Sequence, residues 1–291
     1  MNLCLLQRSA LRGTHPVMAE NNTMTINGPK ALVITAAGIN CDLELAQSFA
    51  AAGAVPESVL LSDLVRNPSR IDSYKLIGLP GGFSFGDDIA AGRIMGALMR
   101  RSIYPAFAAA IERGVPMICP CNGFQIAVQA GLLPGPTVGL PWPATAAEPS
   151  IALTQNSTGR FRDAWTRVEI PSETRCIWTQ GLECDDATGL LPSAHGEGRL
   201  VANNELLDAL EAHGQIAVRY HEADHFNGSM RRIAGICDAS GLVFGLMPHP
   251  ERFTRWTQHP RWTRLSAHQR EAEPLGLRMF RNAVEHVLVS A

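Results

Sequence analysis

VPMICPCNGFQIAVQAGLL, residues 115–133, decides how the rest of the chain is read. VPMIC (115–119) is short, apolar and rich in branched residues, the pattern of a buried strand. GFQIAVQAGLL (123–133) is amphipathic and reads as a helix. Only PCN (120–122) joins them, so the strand feeds the helix through a tight turn. Such a turn can lift one side chain above a sheet. Cys121 stands at its apex, and Gly123 two residues on suits the crowded geometry. The free N–H groups and positive dipole end at the helix start favour thiolate over thiol there. Cys119 falls on the strand, where a small, inert, buried thiol is the ordinary reading. Cys121 taken alone could be either a core residue or a nucleophile, so neighbouring segments have to decide.

Outward from this turn, strands and helices alternate. ALVIT (31–35), SVLLS (58–62) and KLIGLP (75–80) read as strands. DLELAQSFAAAGA (42–54) reads as a helix with Leu43, Ala46, Phe49 and Ala50 at helical spacing, Asp42 capping its start and Gly53 ending it. AAGRIMGALM (90–99) and YPAFAAAIERG (104–114) read as two more helices. This alternation predicts an α/β fold with a doubly wound, mainly parallel sheet, whose chemistry belongs in loops at the carboxyl ends of the strands. After about residue 140 the pattern changes. RFRDAWTRVEI, RCIW, GRLVA, QIAVRYHE, RRIAGICD and LVFGLM read as strands joined by turns such as NGS (227–229) and DASG (238–241), an added antiparallel β portion. GLRMFRNAVEHVL (276–288) is the last helix. The polar stretch 254–274 reads as a loop or a short surface helix.

The composition narrows the function classes. Of 291 residues, 46% are hydrophobic and 18% charged, enough apolar material for a large core. A net charge of −2 argues against a nucleic-acid partner, which would call for a basic excess. No apolar run reaches the ~18 residues a membrane span needs. The seven scattered cysteines lack the spacing of a disulfide framework or zinc site, which fits free thiols in a reducing cytoplasm. Residues 1–29 are polar and without period, and are expected to be a disordered extension or a mis-called start, with Met18 or Met24 as the true one. Residues 30–291 are then expected to form a single domain.

Two further stretches bear on Cys121. In GLMPHPER (245–252), at a strand end, His249 and Glu251 are two apart, and Pro250 biases His249 to extended backbone. Side chains at i and i+2 of an extended segment face one way, so both could reach one pocket. A neutral imidazole could take the thiol proton while the carboxylate orients it. Elsewhere a lone His-x-Glu is usually a solvated turn. LPGGFS (79–84) follows the third strand. Its glycines let backbone approach a ligand, and its amides could receive a tetrahedral oxyanion, with the Asn122 N–H as a second donor. The same residues also make a common turn.

GINCD (38–42), PGGFSFGDDIAAGRI (80–94), CNGFQ (121–125), GLLPG (131–135), AHGEGR (194–199), NGS (227–229), IAGI (233–236) and GLMPHPER together resemble the class I glutamine amidotransferases, and within them the glutaminase branch that serves formylglycinamidine synthetases. The resemblance spans roughly residues 30 to 290. It implies the flavodoxin-like amidotransferase fold, cytoplasmic location and hydrolysis of L-glutamine without a metal or cofactor in this chain. It implies Cys121 as nucleophile, His249 as proton shuttle and Glu251 as its orienter. Gly82, Phe83 and Asn122 amides would line the oxyanion site. Gln125, Asn156, Arg160 and Phe161 would contact glutamine. Ammonia would pass to a large synthetase subunit using ATP and magnesium to make formylglycinamidine ribonucleotide in purine biosynthesis, with a small accessory subunit alongside. No Walker-type loop occurs in this chain, consistent with ATP being handled elsewhere.

His195, Glu197 and Arg199 of AHGEGR alternate, so one extended face could present all three. A second dyad is conceivable there, but a structural or partner-facing role is the preferred reading, since GLMPHPER already supplies base and orienter. The chain departs from the family pattern at Cys119, where glycine is usual, and at Pro120, which together crowd the turn. Thr158 replaces a usual serine, and Arg162 stands where an acid is common. Other readings are a glutaminase subunit of a different complex, a protease-like or stress-response relative, and a non-catalytic scaffold subunit. The intact Cys–His–Glu set and the PGGFSFGDD and AHGEGR stretches argue against these.

Overall fold

A computed structural model describes residues 28–290; the expectations for residues 1–27 lie outside the described residues. In chain order the elements are β1 (Lys30–Thr35), α1 (Asp42–Ala51), β2 (Val55–Leu60), α2 (Leu61–Arg66), β3 (Leu76–Gly78), α3 (Arg93–Ser102), α4 (Tyr104–Glu112), β4 (Met117–Pro120) and α5 (Asn122–Gln129). They continue with β5 (Ile151–Thr154), β6 (Arg162–Glu169), β7 (Leu190–His195), β8 (Arg199–Ala202), α6 (Asn204–Ala212), β9 (Ile216–Tyr220), β10 (Ile233–Cys237), β11 (Val243–Leu246) and α7 (Leu275–Val289). Nine strands form one sheet in the order β2-β1-β3-β4-β11-β10-β9-β6-β7, and β5 pairs with β8 separately. The β2-β1-β3-β4-β11 half is parallel. From β11 through β10, β9 and β6 to β7 every pairing is antiparallel. The α/β architecture with an added antiparallel portion is as the sequence predicts.

Register explains why both faces of the parallel half are covered. Gly78, Ile118 and Phe244 lie in one row across β3, β4 and β11, and Cys119 and Gly245 in the next. Alternate rows point to opposite faces. A Cβ on Gly78 would strike Leu45 and Phe49 of α1, whereas one on Gly245 would strike Phe124 of α5. Helices α1 and α5 therefore pack on opposite faces, and each comes close because a glycine lies beneath it. On the α1 face, Phe49, Trp178 and Phe280 of α7 form an edge-to-face cluster that is fully buried.

Several local expectations are corrected. Asp42 is the first residue of α1 rather than its cap; Cys41 holds the cap position, and Asp42 and Glu44 favour the positive end of the helix dipole. Leu43 points outward, and Leu45, Ser48 and Phe49 form the buried face. The second strand is Val55–Leu60, ending where α2 begins, not 58–62. RCIW (175–178) is no strand: it runs through turns, with Trp178 Nε1 donating 2.9 Å to the Leu242 carbonyl. The stretch 254–274 folds into short 3₁₀ turns.

Pro120 sits in a central strand without loss. Cys121 N donates to Leu246 O on the β11 side, so the ring of Pro120 faces the β3 side. There β3 pairs only as far as Ile118, and no partner strand needs the missing N–H.

Candidate active site

Four loops at the carboxyl ends of β1, β3, β4 and β11 converge on one cavity of about 360 Å³. Strand order reverses between β1 and β3, the kind of position where open parallel sheets bind ligands. Cys121 lies on its floor between β4 and α5, with φ 51° and ψ −111°, a left-handed conformation that a non-glycine residue adopts only under constraint. Gly123 makes the turn possible, because a Cβ there would lie 1.9 Å from the Leu79 carbonyl oxygen. The Cys121 thiol is 3.6 Å from the Ala194 carbonyl, its acceptor.

His249 and Glu251 are brought to the same floor, and both are buried. The route differs from the extended pairing expected. β11 ends at Leu246, and Pro250–Arg252 form a 3₁₀ turn that folds Glu251 back onto the ring. His249 Nδ1 and Glu251 Oε1 are 2.6 Å apart. Burial opposes a charged imidazole, but the Glu251 carboxylate and then the neighbouring Cys121 sulfur overcome it and hold the His249 pKa well above its ordinary value. Gly81 makes room for both groups. A Cβ at that position would lie 2.9 Å from His249 Cε1 and 3.4 Å from Cys121 Cβ.

The expected oxyanion donors divide. Phe83 N already donates 2.9 Å to the Gly38 carbonyl, so it is unavailable, and the Phe83 side chain lines the cavity instead. The Gly82 and Asn122 amides donate to no carbonyl among the described residues. Asn122 and Gln125 tie the wall together. Asn122 Nδ2 donates to Gln125 Oε1 at 2.9 Å, and Gln125 Nε2 to the Glu197 carbonyl at 2.5 Å.

Phe161 lines the cavity, half exposed, but Asn156 and Arg160 do not. Asn156 is consumed inside the wall: its Nδ2 donates to the Arg160 and His195 carbonyls. Its Oδ1 is therefore left to accept from His195 Nδ1 (3.1 Å) and Gly198 N (3.3 Å). That assigns the His195 tautomer, with Nε2 accepting from the Tyr220 hydroxyl at 3.3 Å. Burial, helped by the charge of His249, pushes the His195 pKa down to about 3. Both ring nitrogens are engaged, so His195 is a wall component rather than a second base.

AHGEGR is not one extended face. β7 ends at His195, β8 starts at Arg199, and the turn between them sends His195 and Glu197 into the cavity while Arg199 Nε bonds the Gly228 carbonyl. Cys41, in GINCD, also lines the cavity and receives Arg252 Nη2 at 3.0 Å. Cys41, His249 and Glu251 each offer one atom within 4.8 Å of the others, so these are the residues that could hold a metal ion here. Cys41, Asp87 and Arg252 are cavity residues that sequence reasoning did not single out, whereas Glu197 was considered there only with His195 and Arg199 on one extended face. Their signal was membership of the quoted motifs.

Comparison with known proteins agrees with this geometry. Residues 28–287 match the CobB/CobQ-like glutamine amidotransferase domain. The chain is 37% identical over 265 residues to phosphoribosylformylglycinamidine synthase subunit PurQ of Dehalococcoides mccartyi, covering 88% of this chain and 96% of that one. It is 39% identical over 221 residues to the Mycobacterium tuberculosis subunit of the same name, covering 75% and 85%. Among solved structures, PurLQS of Thermotoga maritima superposes with a TM-score of 0.66 at 32% identity, over 89% of this chain and 98% of that chain.

Proposed function

The chain belongs to the family of CobB/CobQ-like glutamine amidotransferase domains, and from that membership we propose that it is the glutaminase subunit of a phosphoribosylformylglycinamidine synthase. It hydrolyses L-glutamine to glutamate and ammonia and hands the ammonia to a large synthetase subunit that makes formylglycinamidine ribonucleotide in purine biosynthesis. A small accessory subunit completes the assembly, in the cytoplasm. ATP and magnesium belong to the synthetase, and this half-reaction uses no metal or cofactor. No helix among the described residues is long and apolar enough to cross a membrane.

The observation that carries this reading is the buried His249–Glu251 hydrogen bond of 2.6 Å beside a cysteine held at φ 51° on a strand-to-helix turn. An amide is a weak electrophile and ammonia leaves only when protonated. Cys121 gives its proton to His249 and its sulfur attacks the amide carbon of glutamine. The negative oxygen that forms meets the Gly82 and Asn122 amides. A histidine whose cation is favoured keeps the proton until the leaving nitrogen takes it. The C–N bond breaks, ammonia departs, and a γ-glutamyl thioester remains. His249 then takes a proton from water. The resulting hydroxide attacks the thioester, and the sulfur leaves as glutamate is released. Glu251 fixes the ring and balances its charge throughout.

The test uses the complex with its synthetase. Cys121→Ser abolishes glutamine-dependent synthesis and leaves synthesis from added ammonia near its original rate. Loss of both would mean that Cys121 supports the assembly rather than the chemistry.

A further inference from the structure

Among the described residues, one cluster of buried side chains has the composition of a metal site: Cys41, His249 and Glu251. Each offers one ligand atom, and the three atoms lie within 4.8 Å of one another. Cys41 comes from the turn between β1 and α1, and the other two from the loop after β11. Gly81 lets them meet: the point where its Cβ would stand is 3.3 Å from Cys41 Sγ and 2.9 Å from His249 Cε1. The way in is the cavity, which Cys41 and His249 both line. Two groups here have no other task. Glu251 Oε2 is buried without a hydrogen-bond partner, a carboxylate oxygen that still lacks a donor or a cation. Cys41 takes no part in the proposed hydrolysis, yet Arg252 Nη2 donates to its sulfur at 3.0 Å, which favours thiolate, the form that binds metal.

The ligand chemistry selects the ion. One thiolate, one imidazole and one carboxylate suit zinc with an open fourth position. Magnesium, a hard ion that takes oxygen ligands, is refused. Bonds of about 2.0–2.3 Å to a tetrahedral ion set its ligand atoms about 3.5 Å apart, so the cluster closes on zinc with shifts of about 1 Å. Arg252 is partly exposed and yields to the incoming charge by turning toward Glu44, whose Oε1 already lies 3.7 Å from its Nε. Binding releases to solvent the Cys41 proton, which now points to Asn40 Oδ1 at 3.2 Å. A neutral imidazole has one lone pair, so a metal on either ring nitrogen leaves the other carrying the proton. His249 can then accept nothing from Cys121. We propose that Cys41, His249 and Glu251 form an inhibitory site for zinc, or another thiophilic divalent cation, that disables the base and leaves the nucleophile in place. Binding of the cation stands without the glutaminase reading; the inhibition rests on it.

The experiment titrates the complex with its synthetase, in excess magnesium, with zinc sulfate. Glutamine-dependent synthesis falls, synthesis from added ammonia continues, and a zinc chelator restores the first. Cys41→Ser raises the zinc concentration for half inhibition about 100-fold, since loss of even an outer partner of a ligand costs about 10–100-fold. Cys184→Ser, at a partly exposed thiol outside the cavity, leaves that concentration unchanged. Cobalt(II) gives a second readout that needs no turnover. Its thiolate charge-transfer band forms with the unaltered complex, persists in Cys121→Ser and is lost in Cys41→Ser. Loss of the band in Cys121→Ser, inhibition as strong in Cys41→Ser as in the unaltered complex, or equal inhibition of both syntheses would overturn the proposal. Absence of glutamine hydrolysis in the unaltered, zinc-free complex would instead remove the glutaminase reading, and the cobalt band would still decide the metal site.

Discussion

His195 and His249 are both buried in one cavity wall, yet their surroundings drive them to opposite protonation states. His249 faces Glu251 at 2.6 Å and is held protonatable, whereas His195 meets only neutral partners, Asn156 and Tyr220. The consequence for stability can be measured. The folded pKa of His195, about 3, lies below its ordinary 6.5, so the native state resists a proton that the unfolded chain accepts. Stability from this residue is intact above the ordinary value and is lost as pH falls from there toward 3. By about pH 5 the loss reaches roughly 2 kcal/mol. Denaturant unfolding of the protein and of His195→Gln checks this. The variant is less stable at neutral pH but loses less on acidification; an equal loss in both would contradict the assignment of a neutral, fully engaged ring.

At the scale of elements, the site is made by glycines as much as by reactive groups. Gly81 lies where a methyl would reach 2.9 Å from the His249 ring, which Glu251 pins and which cannot swing aside. Gly81→Ala is therefore expected to keep the thermal midpoint within a few degrees and to lower kcat by up to about 100-fold, through displacement of the base. A large loss of stability with unchanged kcat per folded molecule would show that the glycine serves packing alone. The strand–turn–helix at 115–133 was legible because its apolar run and amphipathic period are both local. The His249–Glu251 pair was found for an incomplete reason. Alternation placed them on one face, while the chain in fact uses a 3₁₀ turn, which Pro250 permits but does not announce. α6 was missed although Asn203 caps it by accepting from Leu206 N. β7 was missed because Pro192 and Ser193 break the run LLPSAH. Phe83 could not be removed from the oxyanion donors without knowing that Gly38, 45 residues earlier in the chain, takes its N–H.

Across the whole molecule, the parallel half supplies the thiol, the base and the oxyanion amides, and the antiparallel half supplies the opposite wall through Ala194, His195 and Glu197. Neither half closes the cavity alone, which is why the alternating pattern before residue 140 identified the nucleophile but not the wall that faces it. The account's central claim is that this shared cavity binds glutamine and attacks it through Cys121. The direct measurement is covalent labelling of the protein, together with its synthetase, by an electrophilic glutamine analogue, with the modified peptide mapped by mass spectrometry. The account predicts modification at Cys121, prevented by excess glutamine, with Cys119 and Cys41 untouched. Modification of Cys119 or Cys41 instead, or labelling of Cys121 that glutamine does not prevent, would contradict it.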